Sequence, residues 1–228
     1  MKHKIRRKAV RELKTIPDPP EQNPRKYQEW KDRLVGEIDR ANREQRKVIY
    51  LDEVVFTRKT LLRKAYSHRL TNLAVNGEGM AAVALTAIAA VSAERGTEHV
   101  MITEGHTDND KFKKFVRKLL SLNKGRKLAL FMDNMSAHKE KSVKELYDLH
   151  DILPLYNIPY LPATNPIEAC FSIVKGFFKR KRLERLVNDK PFDYSMCIDE
   201  AFDLIDPESV ENNAARSMTI LRELNFLP

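Results

Sequence analysis

"KVIYLDEVVF", residues 47–56, is the stretch on which the fold turns. Apolar residues fall on both of its faces, which marks a strand in the centre of a covered sheet. Side chains alternate along a strand, so Val48, Tyr50 and Asp52 share one side and Glu53 takes the other. An acid in such a strand needs a reason, because a buried carboxylate is costly unless it is paired or bound to metal. "KLALFMDN", residues 127–134, repeats the pattern. It is a second buried strand ending in an acid, with Ala129, Phe131 and Asp133 on one side.

Between and around these two stretches the periodicity sets the element order. Asn23 is placed to cap a helix that Pro24 starts, and Tyr27, Trp30, Leu34, Ile38 and Ala41 follow at helical spacing. "MAAVALTAIAAVSA" (80–93), an "ERGT" turn and "EHVMITEG" (98–105) read as a hairpin, although the alanine-rich half also suits a buried helix. After "TDND", Phe112, Phe115, Val116, Leu119 and Leu120 form a helical stripe. Residues 139–150 read as a helix, 151–159 as a short strand interrupted by proline, and 161–182 as a helix. Two further helical patterns run from about Asp193 to Ile205 and from Pro207 to Leu224. Three antiparallel strands followed by right-handed crossovers place the first strand beside the fourth and parallel to it. The expected fold is α/β, an RNase H-like mixed five-stranded sheet with helices on both faces.

Composition bounds the rest. The chain has 228 residues, 42% of them hydrophobic, enough for one good-sized domain. We expect a basic tail and Pro-rich linker over 1–23, where "IPDPPEQNP" (16–24) packs four prolines into nine residues. A single domain with C-terminal helices is expected over 24–228. No apolar run reaches the roughly 18 residues of a membrane span, and no secretory signal opens the chain, so an intracellular protein with no membrane partner is expected. Cys170 and Cys197 lack metal-ligand spacing and read as buried structural thiols.

Charge is concentrated. Of the net +9, residues 1–14 carry seven Lys/Arg against one Glu, and 175–185 carry six against one. Two such patches suit a polyanion, while a solubilising tail and a solvated helix face remain the plainer alternative.

Neighbouring strands lie about 4.8 Å apart, so Asp52 and Asp133 are expected to face a shared space. Either acid alone would suit a cap or a surface salt bridge. Glu168, in the first turn of the helix in "LPATNPIEACFSIVKGFFKRKR" (161–182), adds a third. Three hard oxygen ligands without a thiolate or histidine cage suit Mg2+ or Mn2+. Two such ions, about 3.5–4 Å apart, serve phosphoryl transfer by activating a nucleophile and stabilising a leaving oxygen. From Glu168 a stripe of Ser172, Lys175 and Lys179 leads away at helical spacing, while Ile167, Phe171, Val174 and Phe178 form the stripe that buries. A nucleic-acid backbone along the polar stripe would reach the carboxylates with its flanking phosphates held by cations.

At these residues the sequence resembles a known family. "YLDE" (50–53), "FMDNMSAHK" (131–139) and "YLPATNPIEACFSIVKG" (160–176) look like the three catalytic blocks of Asp-Asp-Glu (DDE) transposases of the mariner superfamily. The 34 residues between Asp133 and Glu168 match the spacing of its glutamate branch. The resemblance covers roughly residues 25–185.

It implies a metal-dependent enzyme that cleaves DNA at transposon ends and joins them to target DNA. Water attacks the end phosphodiester, and the freed 3′-hydroxyl then attacks the target. A nuclease that only hydrolyses, and a domesticated DNA-binding protein with a vestigial site, are the alternatives. The resemblance makes Asp52, Asp133 and Glu168 the catalytic, metal-binding triad, with Asn134 and His138 supporting. His138 alone would as readily be a capping or surface histidine. Asn165 and Pro166 are expected to cap and start the helix that aims Glu168. DNA contacts are expected from Lys175, Lys179, Arg180 and Arg182, and from Arg58, Lys59, Arg63 and Lys64 in the long connection 57–79. In relatives that insertion clamps a partner subunit and DNA, which implies a homodimer on DNA; packing on the domain edge is the alternative. The superfamily's paired helix-turn-helix modules do not precede the first block here, where a basic tail and a Pro-rich linker stand, so either the chain is a catalytic fragment or end recognition comes from elsewhere. Activity on DNA implies the nucleus in a eukaryotic host, or the cytoplasm and nucleoid of a bacterium.

Overall fold

The strand expected at 47–56 forms over those same residues, Lys47–Phe56 (β1). It lies at the centre of a five-stranded sheet with β2 (Leu85–Ser92), β3 (Gly96–Glu104), β4 (Leu128–Met132) and β5 (Leu153–Tyr156), in the order β3-β2-β1-β4-β5. This computed structural model describes residue 20 and residues 22–57, 84–188 and 190–227. β1 pairs antiparallel with β2 and parallel with β4. The remaining pairs are β2 with β3, antiparallel, and β4 with β5, parallel. This is the RNase H-like arrangement. The alanine-rich stretch takes the strand alternative from Leu85, and every residue of β2 is buried. Its small side chains let helices press on both faces.

Six helices cover the sheet: α1 (Pro24–Arg43), α2 (Asn109–Leu122), α3 (Lys141–Leu149), α4 (Ile167–Val187), α5 (Tyr194–Phe202) and α6 (Pro207–Glu223), all among the described residues. Period-two alternation assigns the faces. Ile49, Leu51, Ile88, Ala90, Leu130 and Met132 pack with α2 and α3 through Phe112, Phe115, Val116 and Tyr147. Val54, Phe56, Ala87, Ala89 and Val91 pack on the other side against Ile167, Phe171, Val174 and Phe178 of α4 and against Ile198 and Phe202 of α5. Further along that side, Ala129 and Phe131 meet Tyr27, Leu34 and Ile38 of α1 and Leu221 of α6. The apolar stripe of α4 thus buries as its spacing predicts.

Two details fix the sheet's far end. Gly96 has φ +72°, and a Cβ there would lie 2.0 Å from the Ile205 carbonyl oxygen, so the turn into β3 tolerates no side chain where α5 hands over to α6. The β2–β3 register shifts between Ala90 and Val91. Such a bulge re-aims a side chain, and Glu98 points inward, its Oε1 2.5 Å from the buried Lys47 ammonium. Asn123 completes the cluster by accepting from Lys47 at 2.9 Å and donating to Glu98 at 3.3 Å.

Some expectations change. Asn23 makes no side-chain cap bond; α1 starts on Pro24 and on the Tyr27 N–H donating to the Asn23 carbonyl at 3.3 Å. The helix expected from residue 139 starts at Lys141 (α3); Lys139 belongs to a separate 3-10 turn, Ser136–Lys139, with the extended Glu140 between the two. Cys170 and Cys197 are free and buried, and burial pushes each thiol up to about 11. Residues 1–14 and most of the insertion 57–79, including Arg58, Lys59, Arg63 and Lys64, lie outside the described residues. Among the described residues no helix is long and apolar enough to cross a membrane.

Candidate active site

The β1–β4 register brings the two aspartates level. Tyr50 stands opposite Phe131, and one pleat further along lie Asp52, still in β1, and Asp133, the first residue after β4. Both sit at the carboxyl end of the parallel pair. The third acid arrives through the loop from β5. Asn157, at its start, is buried: its Oδ1 accepts from the Ile158 N–H at 2.9 Å and the Thr164 hydroxyl at 2.6 Å, and its Nδ2 donates to the Leu161 carbonyl at 3.0 Å. This bonding shapes residues 157–165 and sets where α4 begins, with Glu168 exposed in its first turn.

Asp52, Glu53, Asp133, Asn134, Asn165 and Glu168 all line one cavity of about 710 Å³. Asp52 Oδ1 accepts from the Glu53 N–H at 2.7 Å, and its Oδ2 accepts from Asn165 Nδ2 at 3.3 Å. Among the described residues no lysine or arginine pairs with Asp52 or Glu168. Burial pushes the Asp52 carboxyl up to about 7; the charges of Asp133, Glu53 and Glu168 add to this, and the Glu53 N–H opposes it. Asn165 is 3% exposed, and its Oδ1 also accepts from the Ile167 N–H at 3.4 Å, so one amide joins β1 to the start of α4. The residue immediately before the helix is Pro166, which cannot cap through a side chain. Asn165 therefore acts from one position further back than expected.

His138 is buried and stacks on Phe112, with ring centroids 4.5 Å apart. Its Nδ1 lies 3.0 Å from Asp133 Oδ1 and its Nε2 3.8 Å from Glu53 Oε1. Neither nitrogen aims squarely at its partner. Burial pulls the imidazole down, but contact with Asp133 and Glu53 and their charges prevail and raise it to about 9. The surface or capping alternative for His138 is therefore set aside. Glu53, which alternation puts across the sheet from Asp52, also lines the cavity: the β1–β4 pairing stops at Tyr50, and His138, from the turn after β4, comes within 3.8 Å of its carboxylate.

The donor set can be tested for a divalent cation. Every acid offers a hard oxygen, and the buried Asn134 Oδ1 has no hydrogen-bond partner among the described residues. Asp52 is partly buried, with no lysine or arginine against it among the described residues. These features fit a hard cation. As the side chains stand, no three Asp, Glu, His or Cys residues among those described converge on a single ion position. Asp133 is turned toward His138 and Asp52 toward Asn165, as like charges left to protein partners would be.

The basic stripe on α4 divides. Ser172 and Arg180 are exposed, and Lys175 and Lys179 half-buried. Arg182 departs from expectation: it is 1% exposed, donates to the Thr57 carbonyl at 3.2 Å and stacks over Tyr194 at 5.4 Å. Its helical position turns it toward β1 and α5, so it braces the fold and presents no surface to a ligand. Sequence reasoning missed Glu53, Asn157 and the apolar residues that share the cavity, Trp30, Met135 and Tyr160 among them. A buried asparagine just after a strand was the available signal for Asn157.

Residues 47–187 match the family described as DDE superfamily endonuclease, and the chain belongs to that family. Similar solved structures include the Mos1 transposase paired-end complex with left transposon end, with TM-score 0.65 and 14% identity, covering 97% of this chain and 66% of that one. The Mos1 strand transfer complex gives the same TM-score and identity, with 97% and 65% covered. The Mos1 catalytic domain with raltegravir and Mg gives 0.56 at 13% identity, with 88% and 95% covered. The chain thus spans just under two thirds of the first two structures' chains. At this identity the likeness concerns the fold. No curated protein sequence matches the chain.

Proposed function

We propose that the chain is the catalytic part of a DNA transposase. It cuts transposon ends and joins them to target DNA, with two Mg2+ or Mn2+ ions held by Asp52, Asp133 and Glu168. The observation that carries this reading is that the three acids line one cavity, with Asp52 partly buried and free of any lysine or arginine partner among the described residues. Family membership supports the endonuclease half. Mos1 paired-end complexes with Mn and with Mg support the choice of cation.

When bound, the cations would acidify water toward neutral pH and place positive charge beside the phosphoryl oxygens. The remaining work belongs to the chain. His138 holds Asp133, Asn165 holds Asp52, and Asn134 Oδ1 offers a neutral oxygen beside them. Lys175, Lys179 and Arg180 would fix flanking phosphates, a role for which Arg182 is buried too deeply. In cleavage, water adds to phosphorus and the bond to the 3′ oxygen breaks, leaving a 5′-phosphate and a 3′-hydroxyl. In joining, that hydroxyl adds to a target phosphorus and expels the target's 3′ oxygen. Domain limits of 24–228, a homodimer on DNA with the 57–79 insertion as clamp, and action in the compartment that holds the DNA belong to the same proposal.

The test offers a pre-cut end and a supercoiled target with Mn2+. Joined product is expected. Hydrolysis without joining would reduce the enzyme to a nuclease, and neither product would remove the assignment.

A further inference from the structure

Beside the acids, the cavity is lined by apolar and aromatic groups: Trp30 from α1, Met135 after β4, and Pro159, Tyr160 and Pro162 from the β5–α4 loop. Phosphodiester chemistry needs none of these groups. Two of them stand open to solvent, with Tyr160 54% and Met135 46% exposed. Tyr160 also has φ +62°, a left-handed backbone that costs a non-glycine residue energy. Such strain persists only where the surroundings impose it. Here the buried Asn157 imposes it, bonding the chain on both sides of Tyr160 through Ile158 and Leu161. The loop therefore spends stability to hold an aromatic ring out at the cavity. Lys26 sits over the Trp30 ring at 5.0 Å, adding a cation beside the aromatic wall.

We propose that this wall is a base-stacking platform. It takes an unstacked nucleobase of the strand whose phosphate meets Asp52, Asp133 and Glu168, with Tyr160 as its principal face and Trp30 and Met135 beside it. The inference rests on the DNA reading above. Every base offers a π-face, so the platform would be tolerant of sequence. Its size supports this, since about 710 Å³ exceeds what water and cations need and falls in the range of sites for nucleotide-sized ligands. A base held there would anchor the strand in the same cavity as the acids that its phosphate meets.

Trp30 is the only tryptophan in the sequence, so its fluorescence reports on this wall alone. The full chain is titrated, with Ca2+ in place of a catalytic cation, with a short single-stranded oligonucleotide and with the same backbone carrying abasic residues. Trp30 quenching and tighter binding are expected with bases and not with the abasic strand. Tyr160→Ala is expected to weaken binding of the base-containing strand about 5- to 150-fold, as loss of one stack of about 1–3 kcal/mol would do. Binding of the abasic strand and the salt slope should not change, and Tyr160→Phe should restore the wild-type behaviour. Equal affinity and equal quenching for the two strands would overturn the proposal. So would a Tyr160→Ala effect on both strands alike, which would show that the wall covers another part of the chain. Base-dependent binding by a chain that cuts nothing in Mn2+ would support the platform and sink the proposed reaction alone. Base-independent binding with intact cutting would do the reverse.

Discussion

Asp52 concentrates the electrostatic cost of the site in one carboxyl. Its folded-state pKa stands at about 7, above the ordinary 3.8. Between pH 4 and 7 the folded chain therefore holds a proton that the unfolded chain has lost, and stability falls as pH rises through that window. Above pH 7 the whole cost is present. Asp52→Asn should stabilise the cation-free protein at pH 8 by on the order of 2–4 kcal/mol, with the gap closing toward pH 4. Thermal melts in EDTA at both pH values measure this, and an asparagine variant no more stable than wild type at pH 8 would show the carboxylate to be well solvated. Asn165→Ala removes the Nδ2 donor from Asp52, and such outer partners are worth about 10–100-fold in activity. Cleavage should drop by that factor with DNA affinity unchanged; a drop in affinity alone would relocate Asn165's role to binding. At this scale the meeting of Asp52, Asp133 and Glu168 in one cavity was legible, because alternation and spacing are local properties of sequence. The His138–Glu53 contact and the Asn165–Asp52 bond were not, since each joins residues whose meeting depends on how β1 packs beside two separate loops.

Among the elements, α4 carries both halves of the site, with Glu168 at its start and cations along its length. If DNA lies on it, neutralising Lys175, Lys179 and Arg180 together should reduce the slope of log K against log salt, by up to about one for each phosphate that no longer meets a cation. Equilibrium binding at several salt concentrations reads this directly, and an unchanged slope would place the DNA elsewhere. Arg182→Met, by contrast, should lower the melting temperature and leave the slope alone, because the guanidinium is buried against Thr57 and Tyr194. Helical spacing correctly separated the apolar stripe of α4 from its polar one. It could not assign Arg182, because which neighbour a helix's last turns meet is set by β1 and α5. The alanine-rich β2 was undecided for a related reason: small residues satisfy a buried helix and a doubly covered strand equally well, and only pairing with β1 and β3 decides.

For the molecule as a whole, element order was enough to give the sheet, because a meander followed by right-handed crossovers leaves β1 a single place beside β4. Pairing of subunits is a separate matter. If the insertion clamps a partner, deleting residues 58–76 should turn a two-subunit complex on end DNA into one subunit per end by light scattering. A normal two-subunit complex after deletion would end that role and leave the chemistry untouched. The central claim is that Asp52, Asp133 and Glu168 form one cation-dependent site for cutting DNA. Nicking of supercoiled plasmid in Mn2+ by wild type and by Asp133→Asn tests it most directly, with melting temperature and DNA affinity measured on the same samples. Wild type should nick, and the variant should lose activity by at least about a hundredfold while its fold and affinity hold. Activity within about tenfold of wild type in the variant would contradict the claim.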